Sequence, residues 1–167
     1  LKTSISLETL RNLFFASMAL KQTDEALAIL QIVEERYPNT FNTIDLHNEI
    51  IKVASEAKND LLLISHAQKI LALQKQFKSS PLSPMIEFNY VEALKRLGRD
   101  KEALDVIQAI SQERIALKDK IRFFYYAGEL SLKLGENEKA KGYFTQCVDN
   151  NETSSWKNIC QENLKLF

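Results

Sequence analysis

Two short stretches of the chain repeat one pattern: Leu97-Gly98-Arg99-Asp100-Lys101-Glu102-Ala103-Leu104 and Leu134-Gly135-Glu136-Asn137-Glu138-Lys139-Ala140. In each, Leu-Gly ends one apolar periodic run. A charged turn then opens another run, which reaches an alanine five residues after the glycine. A glycine just past the last periodic residue marks the end of a helix, where the backbone turns left-handed and only glycine does so without a Cβ penalty. Gly98 and Gly135 are 37 residues apart, and so are Ala103 and Ala140. Self-similarity at this period marks a stack of helical hairpins.

The flanks extend the pattern in both directions. Ile86, Tyr90, Leu94 and Leu97 recur at helical spacing before Gly98, and Ser83-Pro84 supplies a cap and a first-turn proline. Ala103, Ile107 and Ile110 share a face after it. Phe124, Gly128 and Leu132 stack in the run over 121–134, and Ala140, Phe144, Cys147 and Val148 in the run that follows Gly135. Upstream copies are fainter. Helices over 7–22 and 24–37 meet at Gln22-Thr23-Asp24, with Thr23 or Asp24 as the cap and Pro38-Asn39-Thr40 as the stop. Helices over 43–57 and 60–77 meet at Lys58-Asn59-Asp60, where Asn59 is expected to take the left-handed conformation. Lys78-Ser79-Ser80-Pro81 is too short for a linker, so the whole of 1–167 reads as a single domain. The expected hairpins are 7–38, 43–77, 84–115 and 119–149. A lone helix over 155–166 carries Trp156, Ile159, Cys160 and Leu164 and is expected to cap an open end of the stack.

Composition agrees with an all-α body. Of 167 residues, 45% are apolar and 26% charged, with only 4 Gly and 3 Pro, too few breakers for a sandwich or barrel. Lys+Arg and Asp+Glu are 22 each. Residues 1–80 carry nine of each sign and residues 81–167 thirteen of each, so there is no basic patch of the kind a nucleic-acid partner requires. No apolar run approaches the roughly eighteen residues of a spanning helix, so direct membrane insertion is not expected. The chain opens on Leu1 rather than Met, which suggests the C-terminal part of a longer protein.

These motifs resemble the tetratricopeptide repeat. That family places a small residue early in its first helix, a glycine at the turn, an alanine five residues later, an aromatic four after that and a closing proline. Gly128, Gly135, Ala140 and Phe144 match at those spacings. Gly98 and Ala103 match in the third hairpin, where Val91 replaces the small residue. Ala16, Ala26 and Pro38 match in the first, with a turn about two residues short. The second hairpin is degenerate. The resemblance implies a right-handed α-solenoid of about four hairpins plus a capping helix. Its small residues are expected to let neighbouring helices approach closely, so that a larger side chain at Ala103 or Ala140 would cost roughly 1–3 kcal/mol. A narrower resemblance lies in Tyr37-Pro38-Asn39-Thr40 and in Cys147…Trp156-Lys157-Asn158-Ile159-Cys160. The first string is similar to the tyrosine/phenylalanine-Pro-Asn-Ser ending of bacterial extracytoplasmic repeat proteins, and the second to the C-termini of periplasmic repeat scaffolds of the bacterial flagellar motor, such as the paralysed-flagellum proteins.

The same resemblance implies a concave groove lined by Phe88, Glu92, Arg122, Tyr125 and Glu129, with Phe88 and Tyr125 as anchors for a peptide or helix of another protein. The alternative is that these rings pack against neighbouring repeats. Glu92 and Glu129 argue against a carboxylate clamp for chaperone tails and against an RNA-reading groove. Trp156 is expected mainly as a packing plug over the last hairpin.

Cys147 and Cys160 are the two cysteines. They can face each other across the last turn as a disulfide worth roughly 2–3 kcal/mol, in which case the compartment is oxidising and the periplasm fits. Alternatively they are buried thiols of a cytoplasmic protein. His47 and His66 sit in no metal or catalytic pattern and are expected at the surface or half-buried. No phosphate loop or nucleophile elbow occurs. The expected function is a non-catalytic scaffold or adaptor, without metal or cofactor; the alternative from another class is a helical-repeat RNA-binding module. The scaffold would bind other proteins in its groove or by end-on stacking, in the periplasm or as a generic cytoplasmic adaptor.

Overall fold

A computed structural model describes residues 5–38, 40–79, 84–151 and 153–167. Among these residues all regular structure is helical. The chain divides into two compact units, Leu1–Ser79 and Ser80–Phe167, each described by itself.

The first unit holds α1 (Leu7–Ala19), α2 (Thr23–Arg36), a 3-10 turn (Phe41–Thr43), α3 (Ile44–Glu56) and α4 (Asp60–Gln76). Helices α1 and α2 pair, as do α3 and α4, and α3 also packs on the first hairpin. The joint is apolar, with Leu10, Phe14, Ala26, Leu30, Val33, Leu46 and Ile50 forming one buried cluster. At its edge Arg11 grips the Asp45 carboxylate with two hydrogen bonds of 2.8 and 2.5 Å, tying α1 to α3.

The second unit holds α5 (Met85–Arg96), α6 (Asp100–Gln108), a 3-10 turn (Gln112–Arg114), α7 (Leu117–Lys133), α8 (Asn137–Asp149) and α9 (Ser155–Leu164). Helix α7 packs on α6 as well as on α8, and α9 lies against both α7 and α8. The 3-10 turn is held by Arg114, which donates to the buried Glu87 carboxylate at 3.1 Å.

One turn recurs in every hairpin. Gly98 and Gly135 have φ of +70° and +76°. Lys21 and Lys58 stand in the same place, with φ of 59° and 54°. In each turn the left-handed residue donates three residues back and its successor five back, as Gly98 N–H to Lys95 and Arg99 N–H to Leu94, or Lys58 N–H to Ser55 and Asn59 N–H to Ala54. This is the Schellman arrangement, which satisfies the last carbonyls of the helix.

The first turn is therefore not short: Ala26 follows Lys21 by the same five residues that separate Gly98 from Ala103. Nor is Asn59 left-handed. Lys58 takes that role, while Asn59 caps α4 by accepting from the Leu62 N–H at 3.2 Å. Thr23 and Asp24 do not cap α2, whose N-cap is Gln22 without a side-chain bond. Pro84 is the N-cap of α5 rather than its first helical residue, and Ser83, Asn39, Ser80 and Pro81 lie outside the described residues.

The packing residues behave unevenly. Ala26, Ala103, Ala140 and Phe144 are fully buried. A Cβ on Gly128 would sit 2.7 Å from the Phe144 ring, so this glycine is set by close approach, whereas Gly98 and Gly135 are set by their backbone angle. Ala16 is exposed, and the residue equivalent to Gly128 in the first hairpin is the buried Phe14. Leu97 is likewise exposed, because the turn begins there.

Candidate functional site

On the second unit, α5 presents Phe88, Glu92 and Lys95 at i, i+4 and i+7, one face of a helix. Helix α7 presents Arg122, Tyr125, Tyr126 and Glu129 at the matching spacing. Trp156, near the start of α9, closes the group. The tryptophan is brought there by the Cys147–Cys160 disulfide, which fastens α9 to α8, and by Ser154, whose side chain accepts from the Trp156 N–H at 3.2 Å.

The rings form a continuous cluster. Trp156 lies 4.8 Å from Tyr125 and 5.9 Å from Tyr126, and Tyr126 meets Phe88 edge to face at 5.7 Å. Two cations sit on these rings. The Lys95 ammonium lies 4.8 Å from the Tyr126 centroid and 5.8 Å from that of Tyr125, and it pairs with Glu129 at 2.6 Å and Glu92 at 3.7 Å. Its side chain is only 13% exposed, so the two carboxylates and the rings replace most of its water. The Arg122 guanidinium lies 4.8 Å from Phe88 and 5.2 Å from Tyr126, and its Nε donates to the Tyr126 hydroxyl at 2.9 Å. Burial, with Glu129 and Glu92 nearby, pushes the Tyr125 phenol up to about 12. Burial and Glu92 raise Tyr126 well above the ordinary phenol range. Both hydroxyls thus remain neutral hydrogen-bonding groups at physiological pH.

Of the groove residues expected from sequence, Glu92, Arg122, Tyr125 and Glu129 are brought together on this half-buried face. Phe88 is not an anchor: its ring is wholly buried and serves as the floor beneath Arg122. Its neighbours Glu87, Tyr90 and Val91 are also buried, so α5 is enclosed over a wider arc than one stripe suggests. Sequence reasoning missed Lys95 and Tyr126. Helical spacing from Glu92 and Arg122 would have found both. The contact of Trp156 with Tyr125 carries no such local signal.

The first unit holds a second polar cluster. His47 and His66 are both buried, not at the surface, and their Nδ1 atoms are 2.8 Å apart. They face each other across the α3–α4 joint and satisfy each other there, which allows burial of two polar rings. Glu34 Oε1 lies 3.6 Å from His47 Nε2, and Lys69 binds both Glu34 oxygens at 2.6 and 2.9 Å. Burial lowers both histidines to about 4, with the neighbouring His47 adding to the shift on His66. A pocket of about 230 Å³ opens beside them, lined by Glu34, Tyr37, Thr43, His47, Lys69 and Gln76 among others. Among the described residues no group of three or more His, Cys, Asp or Glu could hold a metal, and no helix is long and apolar enough to cross a membrane.

The family model for the tetratricopeptide repeat matches residues 15–40 and 123–154. No curated protein matches the chain. The two matched segments fall on the turn of the first hairpin and on the hairpin of α7 and α8, and both use the same left-handed turn and buried alanine. Both matched segments are similar to the tetratricopeptide repeat, a family of helical hairpins that serves in general for protein–protein interaction and in general without catalysis.

Proposed function

We propose that the chain is a non-catalytic adaptor that docks a segment of another protein on the face of α5, α7 and α9 in its second unit. The observation that carries this reading is the half-buried Tyr125, packed at a tilt on Trp156 with Lys95, Glu129 and Glu92 around it. Aromatic and arginine side chains on a rigid helical face are the residue types that concentrate binding energy at interfaces. Affinity capture with the wild-type chain and with Tyr125→Ala tests it. Loss of bound protein in the variant is expected, and equal recovery by both forms overturns the reading.

The compartment belongs to the same proposal. A protein that depends on the Cys147–Cys160 bond works where thiols are kept oxidised. The periplasm meets that condition, the similarity of Tyr37-Pro38 to extracytoplasmic repeat proteins supports it, and the similarity of the C-terminal string to flagellar-motor scaffolds supports the narrower reading of a structural part of that motor. Alkylation of the protein in its native compartment, followed by intact mass, tests the first step. Two modified thiols without reductant would defeat it. Co-purification with motor components tests the second.

A further inference from the structure

We infer that Arg122 is the receiving group for a carboxylate of the docked protein, so that the partner segment is acidic at the point where it crosses α7. This rests on the docking reading above and adds the chemistry of the partner. Glu129 is matched by Lys95 at 2.6 Å, and Glu92 by Lys95 at 3.7 Å and Arg96 at 4.0 Å. Among the described residues no carboxylate lies within ion-pair distance of Arg122, although its side chain is half-buried. The five charged groups of this face, Glu92, Lys95, Arg96, Arg122 and Glu129, thus leave one positive charge over, and Arg122 is the cation without an acid.

Its geometry suits that role. The guanidinium is held against Phe88 and Tyr126, and its Nε edge is already bonded to the Tyr126 hydroxyl. The stem and plane are therefore ordered before anything binds, which removes most of the side-chain entropy cost of forming a salt bridge. The terminal Nη groups make no hydrogen bond among the described residues. A planar carboxylate accepts from such an edge with two parallel bonds. Tyr125 and Trp156, tilted against each other with centroids 4.8 Å apart, lie alongside Tyr126, to which both pack, and offer apolar surface to the residues flanking the acid. Glu92 and Glu129, occupied by Lys95, do not oppose the approach as free carboxylates would.

Selection of a random-peptide library on the full chain tests the inference, followed by titration of the selected peptides against Trp156 fluorescence. Enrichment of Asp or Glu beside an aromatic residue is expected. Replacing that acid by its amide should weaken binding about tenfold, the effect of losing a hydrogen bond between charged groups. Arg122→Gln should erase the difference between acid and amide, and Arg122→Lys should restore it in part. Unchanged circular dichroism of both variants separates recognition from misfolding. Amidated and free C-termini distinguish a side-chain acid from a chain end. Equal binding of acid and amide, or an acid preference that survives Arg122→Gln, overturns the inference. If those peptides still lose affinity on Tyr125→Ala, the docking face stands and only its acid specificity falls. If Tyr125→Ala changes nothing, or no peptide is selected, both readings fall.

Discussion

Gly128 shows how one missing methyl group sets a joint. An added Cβ would press on three atoms of the Phe144 ring at 2.7, 2.8 and 3.0 Å, and that ring has no exposed side to move toward. Gly128→Ala is expected to destabilise the second unit by roughly 1–3 kcal/mol through overpacking, measured by urea unfolding. The smaller Phe144→Leu, made in the same background, should recover part of the loss. Full stability in the single variant would show that the ring can shift. The residues of the proposed docking face work differently: Phe88 lies wholly buried under Arg122, whereas Tyr125 is half-buried.

The hairpin turn is the element that repeats most faithfully, and it does so with two residue types. Glycine at 98 and 135 enters the left-handed region freely, whereas Lys21 and Lys58 enter it against the steric preference of a Cβ. Lys58→Gly is expected to stabilise the second hairpin by about 1 kcal/mol, and Gly135→Ala to destabilise the fourth by a similar amount. Nothing lies within 4 Å of the Cβ that Gly135→Ala would add, so the effect there would be purely conformational. Thermal unfolding of the two variants checks both signs. The closing helix is a second case. The Cys147–Cys160 bond closes a segment with a sequence separation of 13, which contributes on the order of 3 kcal/mol. Cys160→Ser or reduction should therefore loosen α9. Trp156, the single tryptophan of the chain, should then shift its emission to the red as it leaves Tyr125. An unchanged spectrum on complete reduction would mean that apolar packing alone holds the helix.

For the molecule as a whole, the two units carry different chemical sensitivities. The histidine pair belongs to the first and the disulfide to the second. Both rings have folded values near 4 against an ordinary 6.5. The unfolded chain therefore binds protons first as pH falls. The stability tied to the neutral rings is whole above about 6.5 and is lost between there and 4. The loss is expected to be on the order of 3 kcal/mol for each ring. His66→Gln should flatten the slope of unfolding free energy against pH over this window. A slope identical to wild type would show that the pair does not control acid sensitivity.

Much of this protein follows from local rules that act along the chain. The 37-residue period, the glycines at the turns and the alanines five residues on specify helical hairpins, because helix ends and close joints accept few residue types. Even the alternation of signs near Glu92, Lys95, Arg122 and Glu129 is visible as helical spacing. Other features arise only when helices meet. No string predicts that Lys58 rather than Asn59 turns left-handed, since the Schellman bonds of the whole turn select the position and override residue preference. No spacing rule pairs His47 with His66, buries Phe88 or lays Trp156 on Tyr125. Those contacts join separate helices, and their partners are chosen by which surfaces the packed core leaves facing one another.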